Sequence, residues 1–282
     1  MLFIDNVAQA ESLTKKALLV ARQCKANLQL CHLVKTRVNA KLVIHHDDDE
    51  LVPDENDSFD IEELARQLII AEQPESTFTP KINYLEISAF SPRIIGEMVV
   101  YHNIWLMIMD EQQLKNAECV TSENQSLKVI SNINCPVLLM PQDFNISYFN
   151  RIAYATDLRY CDLGVVRFLK VFNSQVFVTH ITAPGLPGLE ERYAQEILSE
   201  EISTKANYSK MFLRNIKSEN IKSALAAVVD SVGIKTLAIV NKKHKTFERL
   251  FDNFPEKNFS YHHLPTLIFP YLNWFNQASF YN

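Results

Sequence analysis

The sequence lacks the features that place a protein in a membrane or an oxidising compartment. Its richest apolar stretch, 99–109, is interrupted by His102 and Asn103 and is far shorter than the ~20 residues of a membrane-spanning helix. The five cysteines form no CxxC pair, and the first residues carry neither the basic region nor the long apolar region of a signal peptide. We therefore expect a cytoplasmic protein with reduced, mostly buried thiols and no membrane partner.

Positive charge is also in deficit. The chain has a formal net charge of −5, which divides into −9 for residues 1–145 and +4 for residues 146–282. Contacts with phosphate groups need a basic surface, so an acidic chain is not expected to bind nucleic acid in general. Because the charge is unequally distributed, one open hypothesis is that the protein is a scaffold that recruits an unknown protein partner through its charge.

What the sequence does contain is one pattern, present twice. The segment 135–141, Cys-Pro-Val-Leu-Leu-Met-Pro, returns as Leu-Pro-Thr-Leu-Ile-Phe-Pro at 264–270, with both prolines 129 positions later. Upstream, 28–34 (Leu-Gln-Leu-Cys-His-Leu-Val) is echoed by 176–182 (Val-Phe-Val-Thr-His-Ile-Thr). Matches in the same order predict two tandem copies of one fold.

Each copy alternates short apolar strands with helices, which predicts parallel sheets with right-handed crossovers. The fold class is therefore α/β, with two tandem doubly wound domains of five strands each, 1–145 and 146–282, joined by a short polar linker near 142–148. The strands are expected at 1–5, 27–34, 81–87, 103–109, 136–140, 150–156, 175–181, 210–215, 235–240 and 265–269. The helices are expected at 8–25, 58–73, 92–102, 123–132, 159–172, 188–208, 218–231 and 254–261.

These segments resemble the universal stress protein family. The similar motifs are the strand end Ala155-Thr156-Asp157, the second strands 30–34 and 178–181, and the last strand 135–141. The resemblance implies the strand order 3-2-1-4-5, a cytoplasmic address and a role in stress responses. It also implies an intramolecular pseudo-dimer, because single-domain members pair through their fifth strands. The aromatic tail, 271–282, either packs on its own domain or offers a surface for a homodimer.

Some members of the family bind ATP through a glycine-rich stretch, G-x2-G-x9-G-[ST], that follows strand four. Glycine is needed there because the backbone must approach the phosphates closely. The chain has only five glycines, and neither copy has one in the loop after strand four. Asp110 and Asn241 are expected at equivalent positions, where the first glycine of that loop would be. We expect no cofactor: Asp110 and Glu111 would repel phosphate in the first copy, and the second copy lacks the glycines. A vestigial nucleotide or anion site remains possible at the second copy, with four residues: Asp157, Asn241, Lys242 and Lys243.

Other polar clusters have simpler interpretations. The run 45–50 lacks the glycine and the alternating ligands of a calcium loop, so we expect a solvated acidic loop. His32 and His180 occupy matching strand ends, which suggests a shared structural hydrogen bond. Asp157 itself fits a turn or helix-terminus aspartate that accepts backbone N–H groups. No motif surrounds a nucleophile and a base, so we expect neither an enzyme nor a metal site.

The favoured interpretation is a tandem universal stress protein that serves as a non-enzymatic binding or regulatory module and has lost tight ATP binding. The alternative is a nucleotide-binding protein that uses the second domain only, with slow hydrolysis. Nucleotide-dependent thermal stabilisation distinguishes the two, because a ligand that binds only the folded state raises the melting temperature.

Overall fold

The computed structural model describes residues 1–34, 61–71, 78–112, 125–156, 158, 162–182, 190–218, 221–241 and 264–270. Within these ranges strands and helices alternate as the sequence predicts. The strands are β1 (Leu2–Ile4), β2 (Leu28–Leu33), β3 (Ile82–Ile87), β4 (Met107–Asp110), β5 (Val137–Met140), β6 (Arg151–Thr156), β7 (Gln175–Thr182), β8 (Met211–Lys217), β9 (Thr236–Asn241) and β10 (Thr266–Pro270). The helices are α1 (Val7–Gln23), α2 (Ile61–Ala71), α3 (Pro92–Tyr101), α4 (Gln125–Asn132), α5 (Asp162–Lys170), α6 (Glu191–Glu196) and α7 (Ile221–Val232).

Two helical segments depart from regular α-helix. Helix α6 continues through a π-helical stretch, Ile197–Ser203, to Thr204–Ala206, and a short 3-10 helix, Ile146–Asn150, precedes β6. The helix expected at 254–261 lies outside the described residues. None of the helices within the described ranges has the length and apolar character to cross a membrane.

Strand β4 begins four residues later than the sequence predicts. The expected strand covered 103–109, whereas the structure has Met107–Asp110. Asn103 adopts a left-handed φ of 50°, and the N–H of Ile104 donates to the carbonyl oxygen of Val99 at 2.9 Å. Such a bond is typical of a helix C-terminus closed by a left-handed residue. The apolar residues 104–106 therefore belong to the end of α3 and the turn after it.

All ten strands form one continuous sheet, in the order β3-β2-β1-β4-β5-β10-β9-β6-β7-β8. Within each half the strands are parallel and follow the expected order 3-2-1-4-5. The halves meet through β5 and β10, which pair antiparallel with Leu138 opposite Leu267. The predicted fold class and the predicted approach of the two fifth strands are both confirmed.

The apolar core is divided by the faces of the sheet, with residues of both halves on each face. One cluster includes Leu18 of α1 and Phe168 of α5, and the other includes Ile95 of α3 and Leu225 of α7. Since α1 and α5 each follow the first strand of their half, equivalent helices cover the same face. The halves are therefore related by an approximate twofold axis perpendicular to the sheet at the β5–β10 junction.

The segment between the halves is more than a polar linker. Phe144 and Phe149 are buried, with 6% and 2% of their surface exposed, and their rings lie 5.5 Å apart in edge-to-face geometry. The hydroxyl of Thr236 donates to the carbonyl oxygen of Tyr148 at 2.8 Å, which fixes this segment to β9. The sequence pattern missed these aromatic anchors because they stand among polar residues. A division of the chain after residue 145 stays a proposal.

Candidate functional site

In a doubly wound sheet, ligands bind at the carboxyl ends of the strands, where the strand order reverses. This chain has two such places, one between β1 and β4 and the other between β6 and β9. We call them the first crevice and the second crevice. Of the residues predicted to take part in binding, Asn241 lies at the second crevice, and the two acidic residues predicted to prevent binding, Asp110 and Glu111, lie at the first.

The first crevice is bridged by side chains. The amide nitrogen Nε2 of Gln9, in the first turn of α1, donates to Oε1 of Gln112 at 3.2 Å. The backbone N–H of Gln112 donates in turn to Oδ1 of Asp110 at 3.0 Å. Asp110 and Glu111 are buried, with 2% and 7% of their surface exposed. Helix α1 and the end of β4 are thereby tied together across the place that a ligand would enter.

One lysine lies close to this acidic group. Burial lowers the pKa of Lys16, while the nearby carboxylates of Asp110 and Asp143 act in the opposite direction and favour its charged form. The ammonium group of Lys16 also donates to the carbonyl oxygen of Gln142. Its charge therefore faces carboxylates and a carbonyl oxygen of the protein itself.

The strand register corrects one prediction about this edge. Asp110 pairs with Met140 in the first half, whereas Val240 pairs with Phe269 in the second. Because Met140 and Phe269 follow the aligned prolines by the same number of residues, Asp110 is the counterpart of Val240. The prediction that placed Asp110 and Asn241 at equivalent positions is therefore wrong by one residue, and the counterpart of Asn241 is Glu111. The sequence alignment of the two copies rested on an apolar run followed by polar residues, and that pattern does not determine the alignment to within one residue.

At the second crevice, Asn241 is the described member of the predicted set. It ends β9 opposite Pro270 and has 6% of its surface exposed. Thr156 ends β6, and its Oγ1 accepts a hydrogen bond from the N–H of Leu158 at 2.9 Å. Leu158 has a φ of 60°, which is uncommon for a residue with a side chain and marks a tight turn after the strand. Three further predicted site residues, Asp157, Lys242 and Lys243, lie outside the described residues.

The two matching histidines make different hydrogen bonds. Nδ1 of His32 lies 3.1 Å from the hydroxyl of Tyr84, which donates to Glu86 at 2.8 Å. His180 is fully buried, with Nδ1 3.3 Å from the carbonyl oxygen of Thr156 and Nε2 3.3 Å from the hydroxyl of Thr182. In each case the hydrogen-bond partners belong to strands of the same sheet. The expectation that the two histidines share one kind of bond is wrong.

The described cysteines are unpaired thiols: Cys24, Cys31 and Cys135. Burial raises the pKa of each of them to about 12, so the thiols stay protonated at neutral pH and are poor nucleophiles. Across the described ranges, no three His, Cys, Asp or Glu residues are grouped so as to hold a metal ion. The acidic run 45–50 lies outside those ranges.

The fold defines a class of protein in which two doubly wound α/β units share one sheet. No protein family profile and no curated protein sequence matches the chain. Solved structures do match its fold. A universal stress protein from Archaeoglobus fulgidus DSM 4304 has a TM-score of 0.58 at 11% identity, and the match covers 95% of this chain and 97% of that one.

Two proteins of Pseudomonas aeruginosa are also similar. A candidate universal stress protein from strain UCBPP-PA14 has a TM-score of 0.54 at 13% identity, and a functionally unknown protein from strain PAO1 has a TM-score of 0.52 at 12% identity. Each match covers 95% of this chain and 92% of the other. At these identities the comparisons show the fold, which is that of tandem universal stress proteins.

Proposed function

We propose that this chain is a tandem universal stress protein that acts as a non-enzymatic binding or regulatory module in a stress response, without tight binding of ATP. The fold supports the family assignment, because the similarity extends over 95% of the chain. The observation that carries the ligand part of the proposal is the burial of Asp110 and Glu111 at the end of β4.

Electrostatic repulsion determines how much the two carboxylates weaken the binding of ATP. Two unit charges of the same sign, 4 Å apart near a protein surface, repel each other by about 4 kcal/mol at an effective dielectric constant near 20. A triphosphate brings several negative charges toward the carboxylates of Asp110 and Glu111, and the single positive charge of Lys16 offsets these two carboxylates only in part. A single such repulsion, about 4 kcal/mol, weakens binding by roughly a thousandfold. Tight binding of ATP at the first crevice is therefore disfavoured.

The second crevice supports the alternative function, a nucleotide-binding protein that uses the second domain only and hydrolyses ATP slowly. Asn241 is uncharged, and Lys242 and Lys243 follow it in the sequence. Lysine side chains attract phosphate, but the second crevice lacks the glycines whose backbone would approach it closely. The alternative predicts an anion-dependent site of modest affinity in the second half.

Isothermal titration calorimetry with Mg-ATP tests the proposal directly. We expect no binding at micromolar concentrations and no rise in melting temperature, because a ligand must bind the folded state to stabilise it. Micromolar binding would contradict the proposal. If that binding is lost in Asp157→Ala and in Lys242→Glu/Lys243→Glu but retained in Asp110→Asn/Glu111→Gln, the alternative function is the correct one.

A cytoplasmic site of action, a further homodimer and a protein partner are part of the same proposal. The opposite charges of residues 1–145 and 146–282 are the feature that would orient a charged partner. Light scattering of the purified chain distinguishes monomer from homodimer. Pull-down with the intact chain, compared with a variant in which the basic residues of the sequence segment 242–245 are reversed in charge, tests the partner.

A further inference from the structure

A cavity lies at the amino ends of the first-half strands. Its volume is about 550 Å³, and its lining includes Leu28 at the start of β2, Trp105 shortly before β4 and Pro136 directly before β5. The lining is mainly apolar, and Trp105 is only half-buried. Cavities of roughly 300–1,000 Å³ hold small ligands, so this one has room for several side chains of a peptide segment. Accessible apolar surface of this kind marks an interaction site.

The last strand of the described chain ends at this cavity. Because β10 runs antiparallel to β5, its end lies beside the start of β5, where Pro136 lines the cavity. The ring of Phe168 also lines it, and its centroid lies 5.2 Å from that of Phe269 in β10 and 5.2 Å from that of Trp105. The segment that follows Pro270 therefore starts next to the cavity.

The second half has an equivalent place, and an aromatic side chain covers it. Since His32 and His180 occupy matching strand ends, the residues eight positions before them match as well. These are Cys24, which lines the cavity, and Phe172. Each is followed by a residue with a left-handed φ, 51° in the first half and 56° in the second. The ring of Phe149 stacks on that of Phe172, with centroids 4.3 Å apart.

A second contact at the equivalent place involves the same covering segment. The strand register makes Leu106, the neighbour of Trp105 in the cavity lining, the counterpart of Thr236. The hydroxyl of Thr236 donates to the carbonyl oxygen of Tyr148 at 2.8 Å. In the second half, therefore, the segment that follows β5 covers the place that is a cavity in the first half.

The segment that follows β10 is the sequence counterpart of that covering segment. Each begins at a proline that closes its strand, Pro141 or Pro270. The run 147–150, Ser-Tyr-Phe-Asn, returns at 279–282 as Ser-Phe-Tyr-Asn. The final Asn follows the proline by nine positions in the first case and by twelve in the second. The later segment, 271–282, lies outside the described residues, and it is long enough to follow the same path.

We propose that residues 271–282 dock in this cavity of the first half, with Tyr281 against Cys24 as Phe149 lies against Phe172. The segment that leaves each half would then cover the amino ends of the strands in the other half, as the approximate twofold symmetry requires. Aromatic side chains suit an apolar cavity because each carries a large apolar surface. The proposal uses none of the residues that favour or oppose nucleotide binding, so it goes beyond the proposed function.

Chemical labelling of Cys24 tests the proposal in the full chain. A thiol beneath a docked segment reacts with N-ethylmaleimide only when that segment leaves. We expect the Trp274→Ala/Tyr281→Ala variant to raise the labelling rate of Cys24, followed by peptide mass spectrometry, by about tenfold or more. Tyr193→Ala, at a side chain that is 54% exposed on α6, is the matched control and should leave the rate unchanged. An unchanged rate in the first variant, or an equal acceleration at the fully buried Cys31, would overturn the proposal.

A disulfide identifies what occupies the cavity. Under oxidised glutathione, we expect Tyr281→Cys to form a disulfide with Cys24 of the same chain, at a rate that does not depend on protein concentration. Cys24→Ala in the same background should remove that cross-link. Cross-links between chains would show that the segment docks on a second copy. That result, a cross-link to another cysteine instead, or none at all would contradict the proposed docking.

Discussion

Leu138 and Leu267 lie opposite each other in the antiparallel pair that joins the two halves, and both side chains are fully buried. The pair closes what would otherwise be two exposed, apolar sheet edges. An unpaired edge of that kind is a template for aggregation. The contact therefore stabilises the halves and protects them at the same time.

Truncation of this junction should be costly. We expect Leu267→Ala to lower the free energy of unfolding by about 2–5 kcal/mol, the range for buried leucines. Urea denaturation followed by circular dichroism measures it, and both halves should lose stability together because they share one sheet. The control is Val100→Ala, at a side chain that is 56% exposed, with an expected change within about 0.5 kcal/mol. Separate transitions, with only one of them shifted, would contradict the expectation.

The bridge across the first crevice should show coupling between its two glutamines. Gln9→Ala and Gln112→Ala each remove the 3.2 Å hydrogen bond, at a cost of about 0.5–1.5 kcal/mol. The double variant should cost less than the two single changes combined, because the bond can be lost only once. Strict additivity of the free energies of unfolding would mean that the two amides do not interact in solution.

The hydroxyl of Thr236 should contribute to the junction between the halves. Thr236→Val keeps the shape of the side chain but leaves the carbonyl oxygen of Tyr148 without its 2.8 Å donor. We expect a loss of about 1–3 kcal/mol, the cost of an unsatisfied buried polar group. Thr204→Val is the matched control, because its hydroxyl bonds to Ser199 at an exposed position. Equal effects of the two changes on the urea midpoint would refute the role of burial.

Stability should fall at alkaline pH because of the buried thiols. Burial raises the pKa of Cys31 and Cys135 from 9.0 to about 12. The unfolded chain then loses these protons first, so the stabilisation is complete below pH 9 and is lost as the pH rises toward 12. Each thiol changes the free energy of unfolding by up to about 1.4 kcal/mol per pH unit in that window. Urea titrations at pH 8 and pH 10 measure the slope, which Cys135→Ala should flatten.

Much of the fold could be predicted from sequence because each strand is a short apolar run between helices. The repeated prolines at 136 and 265 located the two strands that meet, and β5 and β10 do pair. The start of β4 could not be predicted, because residues 104–106 are apolar like a strand but do not belong to one. They close the end of α3 after the left-handed Asn103.

The candidate sites were predictable only in part. Asn241 is the last residue of β9, whereas the expected strand ended one residue before it. The register of the first crevice was also missed by one residue, since Asp110 and Glu111 are adjacent and both polar. The cavity at the amino ends of the first-half strands, lined by Asn27 and Pro136 among other residues, was not predicted, because its residues come from separate elements of the fold.

The continuous sheet also has a consequence for how this chain can change over generations. In a dimer of identical subunits every substitution arises twice, so a ligand pocket and its symmetric copy must diverge together. Joining the copies through β5 and β10 removes that constraint while preserving the shared interface. One half can fill a position with Phe177 and Phe212, while the other keeps Gln29 and Asn83 there. In a fused chain each half can therefore accept its own substitutions, while both halves keep the same fold and the same shared interface.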